Sequence, residues 1–182
     1  MKIKVFYILL FILCLLFLFD VPTLNGQSAE GLYREAIQFI KDKQYDFALL
    51  EFRAIIRDFP ESKYAQESMF AMGEYFYTQG AYHEAIKNFA EYIRNYPDAD
   101  GAIFAKAYLL KIMQSIEKPT EEERRVIDNI KTDFFSKALL LLFSEYKEAS
   151  YKSVFQTVFT VRYYVDITEV YRNGKIFIKI TP

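Results

Sequence analysis

The chain has no tryptophan, one cysteine (Cys14) and one histidine (His83). With a lone histidine and no partner cysteine, a His-based metal cluster cannot be built. Cys14 lies inside an apolar run, so removal of that run leaves a chain without cysteine. Disulfides, thiol catalysis and Cys-ligated metals are then excluded. Charge of one sign is also missing: 23 basic residues stand against 24 acidic ones. Nothing in that balance argues for nucleic acid. No Gly-rich phosphate loop, nucleophile elbow or zinc motif appears, and no cofactor is implied. What the chain has in quantity is aromatic side chains, 18 Phe and 15 Tyr. These bury large areas and help a small core.

Lys2 and Lys4 precede residues 5–19, an unbroken run of 15 apolar residues, VFYILLFILCLLFLF. Asp20, Pro22 and Asn25 end it. A spanning helix needs ~20 residues, so this run has the length of a signal-peptide core. Small Gly26, Ser28 and Ala29 follow, and cleavage is expected near Gly26. About 156 residues would then remain, enough for one domain. The alternative is an uncleaved signal anchor, with membrane association through this segment.

Two later stretches share one pattern. Tyr45, Ala48, Phe52, Ile56, Arg57 and Pro60 recur as Tyr82, Ala85, Phe89, Ile93, Arg94 and Pro97, each 37 residues on. Phe39 pairs with Phe76, Ala36 with Gly73 and Ala65 with Ala102 at the same offset. A fixed period of this size means stacked units, none able to bury its apolar face alone. Each unit reads as two helices. Met69, Met72, Gly73 and Phe76 have helical spacing, Gly80 suits a left-handed cap, and Ala85, Ile86, Phe89 and Ile93 resume one face. Pro97 stops the second helix. Helices are expected over 31–42, 45–59, 62–79, 82–96 and from about 99 to 116.

This pattern resembles a tetratricopeptide repeat, ~34 residues in its usual form. The longer period, closed by Phe59-Pro60-Glu61-Ser62 and Tyr96-Pro97-Asp98, resembles a periplasmic branch. That branch holds the BamD outer-membrane assembly lipoproteins and the Tol–Pal-associated coordinator proteins. The resemblance covers about residues 29–115. A lipoprotein needs a small residue before its cysteine and a polar segment after it. Cys14 has Ile12-Leu13 before it and Leu15 after it, and reads as part of the apolar run.

Beyond the repeats, Thr120 with Glu123 forms a capping-box signature, and the first-turn acids suit the helix dipole. A helix is expected from there to about 131. It resumes from Thr132 or Asp133, through the apolar 139–143, to about Lys147, as a cap on the array. Residues 154–170 are rich in β-formers, and Asn173-Gly174 between alternating runs is a strong hairpin signal. The hairpin is expected to dock on the helix around 139–143. The fold class is therefore mainly α: about two and a half tetratricopeptide-like repeats, a C-terminal helix and a β-hairpin. The expected division is 1–26 signal peptide or anchor, 27–116 repeats, 117–153 helical cap and 154–182 hairpin segment.

By the resemblance, the first helix of each unit lines a concave groove that takes an extended or helical peptide. Matching the pattern nominates Tyr33, Ile37, Ile40 and Lys41 in the first unit. In the second it nominates Glu67, Phe70, Glu74, Tyr77 and Thr78; in the third, Phe104, Ala107, Lys111 and Gln114. The opposing expectation is that Phe70, Phe104 and Ile37 are covered by the C-terminal segment. His83 begins a helix and reads as a solvent-facing turn residue, and 121–123 as a solvated first turn. No catalytic residue and no metal site is nominated. The expected role is a non-catalytic interaction scaffold of the bacterial envelope, in the periplasm or membrane-anchored, with a protein or peptide partner. Outer-membrane protein assembly and Tol–Pal-linked maintenance are the specific readings. A generic peptide-binding adaptor is the alternative, and a carboxylate enzyme a third.

Overall fold

A computed structural model describes residues 27–115, 120–140, 147–164 and 166–181. Six helices come first: α1 Ala29–Lys41, α2 Tyr45–Asp58, α3 Lys63–Thr78, α4 Tyr82–Asn95, α5 Ala102–Met113 and α6 Glu121–Leu140. Four strands follow: β1 Lys147–Lys152, β2 Val158–Tyr163, β3 Thr168–Arg172 and β4 Lys175–Ile180. The chain is thus mainly α with a β-rich C-terminus. The apolar segment and its cleavage point, Cys14 included, lie outside the described residues.

The 37-residue period is visible in the backbone itself. At the end of α1, Asp42, Lys43 and Gln44 donate to the carbonyls of Gln38, Ile40 and Phe39. At the end of α3, Gln79, Gly80 and Ala81 donate to Tyr75, Tyr77 and Phe76. The central residue of each turn is left-handed, Lys43 with φ 60° and Gly80 with φ 72°, so both helices close on the same motif. Ser28 and Ser62 cap α1 and α3, each side chain accepting from the backbone N–H three residues on. Past α2 and α4, Pro60 and Pro97 cannot continue the helix. Tyr96 reaches back from the second closing turn to donate to the Pro60 carbonyl at 3.2 Å.

Small residues set the helix crossings. Ala36, Ala48, Gly73 and Ala85 are all buried. Gly73 lies under the Phe89 ring so closely that an added Cβ would stand 2.7 Å from it. Gly101, before α5, would put a Cβ 2.5 Å from the Tyr92 hydroxyl.

From α5 onward the chain departs from the expected course in three ways. The helix from Glu121 runs unbroken to Leu140, where a pause near 131 was expected. Lys106 of α5 pairs with Asp133 of α6 across that place, so a charged link ties the two helices mid-length. β1 begins at Lys147, where helix was expected. Its sequence KEASYK carries little strand signal; its partner β2, in register from Lys147↔Tyr163 to Lys152↔Val158, decides its state. Finally, the hairpin is one half of a four-stranded antiparallel sheet ordered β1-β2-β3-β4. The Asn173-Gly174 turn is as expected, both residues having positive φ. Asn173 also exchanges two hydrogen bonds with the Val158 backbone, fixing the turn beside the start of β2.

The sheet packs on α3 and α5. Phe159, Val161, Val170, Ile178 and Ile180 share one core with Phe70, Phe104, Tyr108, Leu109 and Ile112. The expected dock around 139–143 falls on side chains outside the described set. A second core joins α1, α2 and α3 through Leu32, Ala36, Leu49, Phe52 and Ile55, and Val154 from the β1–β2 turn enters it.

Candidate functional site

The nominated groove residues lie on α1, α3 and α5, and the sheet covers most of the latter two. Phe70 of α3 is fully buried. Its ring centroid is 4.9 Å from that of Tyr151 on β1 and 6.0 Å from that of Phe159 on β2. Phe104 of α5 stacks on Tyr151 at 5.9 Å and meets Phe159 at 5.4 Å. Tyr77 is half-buried against Phe177 of β4 at 5.9 Å, and Ala107 is buried. The middle of the array is therefore filled by the chain's own aromatic side chains. Covering by the C-terminal segment describes Phe70 and Phe104, not exposure in an open groove. The physical reason is area: the helices cover only part of each ring, the sheet covers the rest, and each ring contributes about 1.5–3 kcal/mol on burial.

Glu74 is the one nominated carboxylate inside this contact, 1% exposed. Its Oε1 accepts from the Tyr108 hydroxyl at 3.3 Å and from Arg172 of β3 at 3.4 Å. The Arg172 guanidinium also lies 6.0 Å from the Tyr108 ring centroid. Burial, then the Glu74 charge, drive the Tyr108 pKa far up. This pair ties the sheet to α3 across 98 residues of sequence. Removing Arg172 would leave the Glu74 charge buried without its ionic partner, which is costly.

What stays accessible among the nominated residues is a rim. Lys41, Thr78 and Gln114 are exposed and Lys111 half-exposed, all at the C-terminal ends of α1, α3 and α5. Tyr33, Ile37, Ile40 and Glu67 are half-buried. Tyr33 donates to the Glu67 carboxylate. Burial and then this hydrogen bond raise the Tyr33 pKa.

His83 is exposed at the start of α4. It lines a groove of about 840 Å³ between α4 and α6, with Lys87, Glu91, Val126 and Ile130. Among the described residues no group of three or more His, Cys, Asp or Glu could hold a metal ion. No described helix is long and apolar enough to cross a membrane. One feature escaped the sequence reading: Tyr45, Phe47 and Leu50 on α2 are 37%, 54% and 55% exposed.

Two stacked helix pairs, a third helix pair and a sheet closing the inner face define a helical-repeat protein whose surfaces suit protein contacts. A family described as outer membrane lipoprotein, YfiO, matches residues 25–161. The chain belongs to that BamD-like family. Neither the curated proteins nor the solved structures hold a match to it. Membership implies an envelope protein that works with protein partners, in a family whose members are not enzymes.

Proposed function

We propose that this protein is a non-catalytic scaffold of the bacterial cell envelope, acting in outer-membrane protein assembly or in Tol–Pal-linked envelope maintenance. The observation that carries the reading is the family match over residues 25–161. The helix pairs are tetratricopeptide-like in phase, closing turn and small-residue placement. In this reading residues 1–26 direct export and are removed near Gly26, so the protein works in the periplasm. Residues 27–116 form the repeats, and the remainder closes them.

The nominated groove then acts along its rim. Lys41, Thr78, Lys111 and Gln114 lie at corresponding helix ends, and Tyr33, Ile37 and Ile40 continue that strip on α1. A peptide laid along the helix ends meets exposed polar groups there and half-buried aromatic and aliphatic ones at the first unit. Aromatic anchors supply energy and charges supply register. The alternative, a peptide-binding adaptor outside those two machines, is favoured by one observation: Cys14 has no lipid-attachment pattern around it.

Affinity capture from cross-linked envelopes tests both. Recovery of outer-membrane assembly or Tol–Pal components supports the first reading. Recovery of unrelated envelope proteins alone supports the adaptor. The N-terminal peptide from the same preparation, read by mass spectrometry, decides the export reading. A mature chain beginning near Gly26 supports removal; an intact Met1 peptide supports the anchor; a lipid on Cys14 overturns both.

A further inference from the structure

The two helix pairs present the same surface with different chemistry. In the second pair, Glu84, Lys87 and Glu91 of α4 line a groove of about 370 Å³. Its opposite wall is Arg53, Ile56 and Arg57 of α2. Across that groove from α4 stands the second helix of the preceding unit. Subtracting 37 places Phe47, Leu50 and Ala54 on the same face of α2. No described element precedes α1 to meet them. Phe47 and Leu50 are more than half exposed, at 54% and 55%. Phe39 of α1 extends the patch, its ring 5.5 Å from that of Phe47. The repeat fold does not require apolar residues here, because the second pair has charged ones at these positions.

Charge at the patch edge narrows what covers it. Glu51 stands where α4 has Asn88, and Glu35 of α1 stands where α3 has Met72. The two carboxylates lie near enough that burial of Glu51, and then the Glu35 charge, raise its pKa. We infer that this face of α1 and α2 docks an amphipathic helix of a partner protein, with an apolar stripe flanked by arginine or lysine. One unit later, α2 itself presents Arg53, Ile56 and Arg57 to Glu84 and Glu91 across the groove, an arginine-flanked helix facing carboxylates. A second copy fits poorly, since a two-fold pairing of this patch gathers four carboxylates, Glu35 and Glu51 of each copy, at one interface with no basic residue of the patch to meet them. The chain's own apolar run, residues 5–19, is apolar on every side, and its only nearby basic residues, Lys2 and Lys4, stand at one end and not along a stripe.

The inference names a surface and a partner chemistry for the scaffold proposed above, and rests on that reading for its place in the cell. The test uses the full-length protein and a labelled synthetic peptide of about five helical turns. The peptide carries a leucine stripe flanked by arginines, and a matched peptide has glutamates instead. Binding is read by fluorescence anisotropy at low and high salt. The arginine peptide should bind and the glutamate peptide should not. Phe47→Glu with Leu50→Lys, which copies the α4 surface onto α2, should weaken binding about tenfold or more. Glu35→Gln with Glu51→Gln should weaken it less and flatten its salt dependence. All four positions are exposed or half-exposed, so circular dichroism should report an unchanged fold. If the first variant does unfold, the second still decides. Equal binding by wild type and variants, or by both peptides, overturns the inference. So does self-association, or binding to lipid vesicles, that the Phe47/Leu50 variant abolishes while the arginine peptide fails to bind. Photo-cross-linkers at Leu50 and at Thr78 in envelopes separate the two failures. Capture from Thr78 alone removes this inference and leaves the scaffold; capture from neither removes the scaffold reading.

Discussion

The first and second helix pairs repeat one backbone plan and bury it differently. Tyr33 of α1 and Phe70 of α3 are counterparts, yet Tyr33 is half-buried and Phe70 fully buried. Phe47 and Leu50 of α2 are exposed apolar residues where α4 has Glu84 and Lys87. The second pair is enclosed by α2, α5 and the sheet, so its inner face is core and its outer face is polar. The first pair has only α3 and the β1–β2 turn against it. Its inner face is partly wet and its outer face apolar. Position in the array, more than the repeat pattern, decides which residues are free to meet a partner.

The largest expected effect comes from cutting the core that only the second pair possesses. Phe70→Ala removes a ring that touches Phe89, Tyr92, Tyr108, Tyr151 and Phe159. It should lower the free energy of unfolding by about 3–5 kcal/mol. Tyr33→Ala, at the matched position, should lower it by about 1 kcal/mol. Urea unfolding followed by far-ultraviolet circular dichroism measures both. Equal losses would mean that the two inner faces are buried alike.

The helix crossings give the next contrast. Ala36 carries its Cβ in the first pair, whereas Gly73 has room for none beneath Phe89. Gly73→Ala should cost about 1–3 kcal/mol from overpacking, despite alanine's better helix propensity. Ala36→Gly should cost about 1 kcal/mol, mostly through backbone entropy. A Gly73→Ala protein with an unchanged melting temperature would show that the α3–α4 crossing is looser than the α1–α2 one.

The pattern and the pairing of helices were legible because small, aromatic and proline positions recur at a fixed spacing. Local chemistry wrote those elements: serine caps, left-handed turns and proline stops. The sheet was half legible. Asn173-Gly174 is a local signal, whereas β1 is a strand because β2 lies beside it, and KEASYK alone does not say so. The filling of the groove was harder still. Phe70 and Phe104 are too apolar to stand in water, but the rings that cover them lie tens of residues downstream. The Glu74–Arg172 pair exists only once the sheet has docked. The exposed α2 face did have a signal: at the repeat offset, Phe47 and Leu50 replace charged residues.

Alkaline pH offers a third contrast. Burial pushes Tyr92 of α4 and Tyr163 of β2 up to about 12. Tyr108 and Tyr151 are also raised, by burial first. In the first pair Tyr33 is raised by burial and by Glu67. An unfolded tyrosine ionises near about 10. Above that pH the unfolded chain releases phenolic protons that the folded chain retains, so it binds fewer protons and stability falls as pH rises. The melting temperature should be flat to about pH 9 and drop beyond about pH 10. Tyr108→Phe and Tyr33→Phe should each blunt the drop, since burial first holds both phenols protonated in the folded chain. A drop left unchanged by only one of them would mean that the inner face at that position is open to water.

The smallest effect tests the closing turns, where the two pairs share a conformation but not a residue. Lys43 holds φ 60° at the end of α1, and Gly80 holds φ 72° at the end of α3. A side chain in the left-handed region costs about 1–2 kcal/mol relative to the right-handed one, and glycine is nearly free of that penalty. Glycine loses more backbone entropy on folding, by about 0.5–1 kcal/mol. The two terms oppose, and the steric one is larger. Lys43→Gly should therefore stabilise the protein by about 0.5 kcal/mol. Lys43 is exposed, so no packing is lost with its side chain. Gly80→Lys should do the opposite, since the position has open space for a Cβ and only the backbone resists. Chemical denaturation of both variants checks the pair. If Lys43→Gly destabilises, the lysine side chain makes a contact in the α1–α2 turn that outweighs its backbone strain, and the two turns are alike in shape but not in energy.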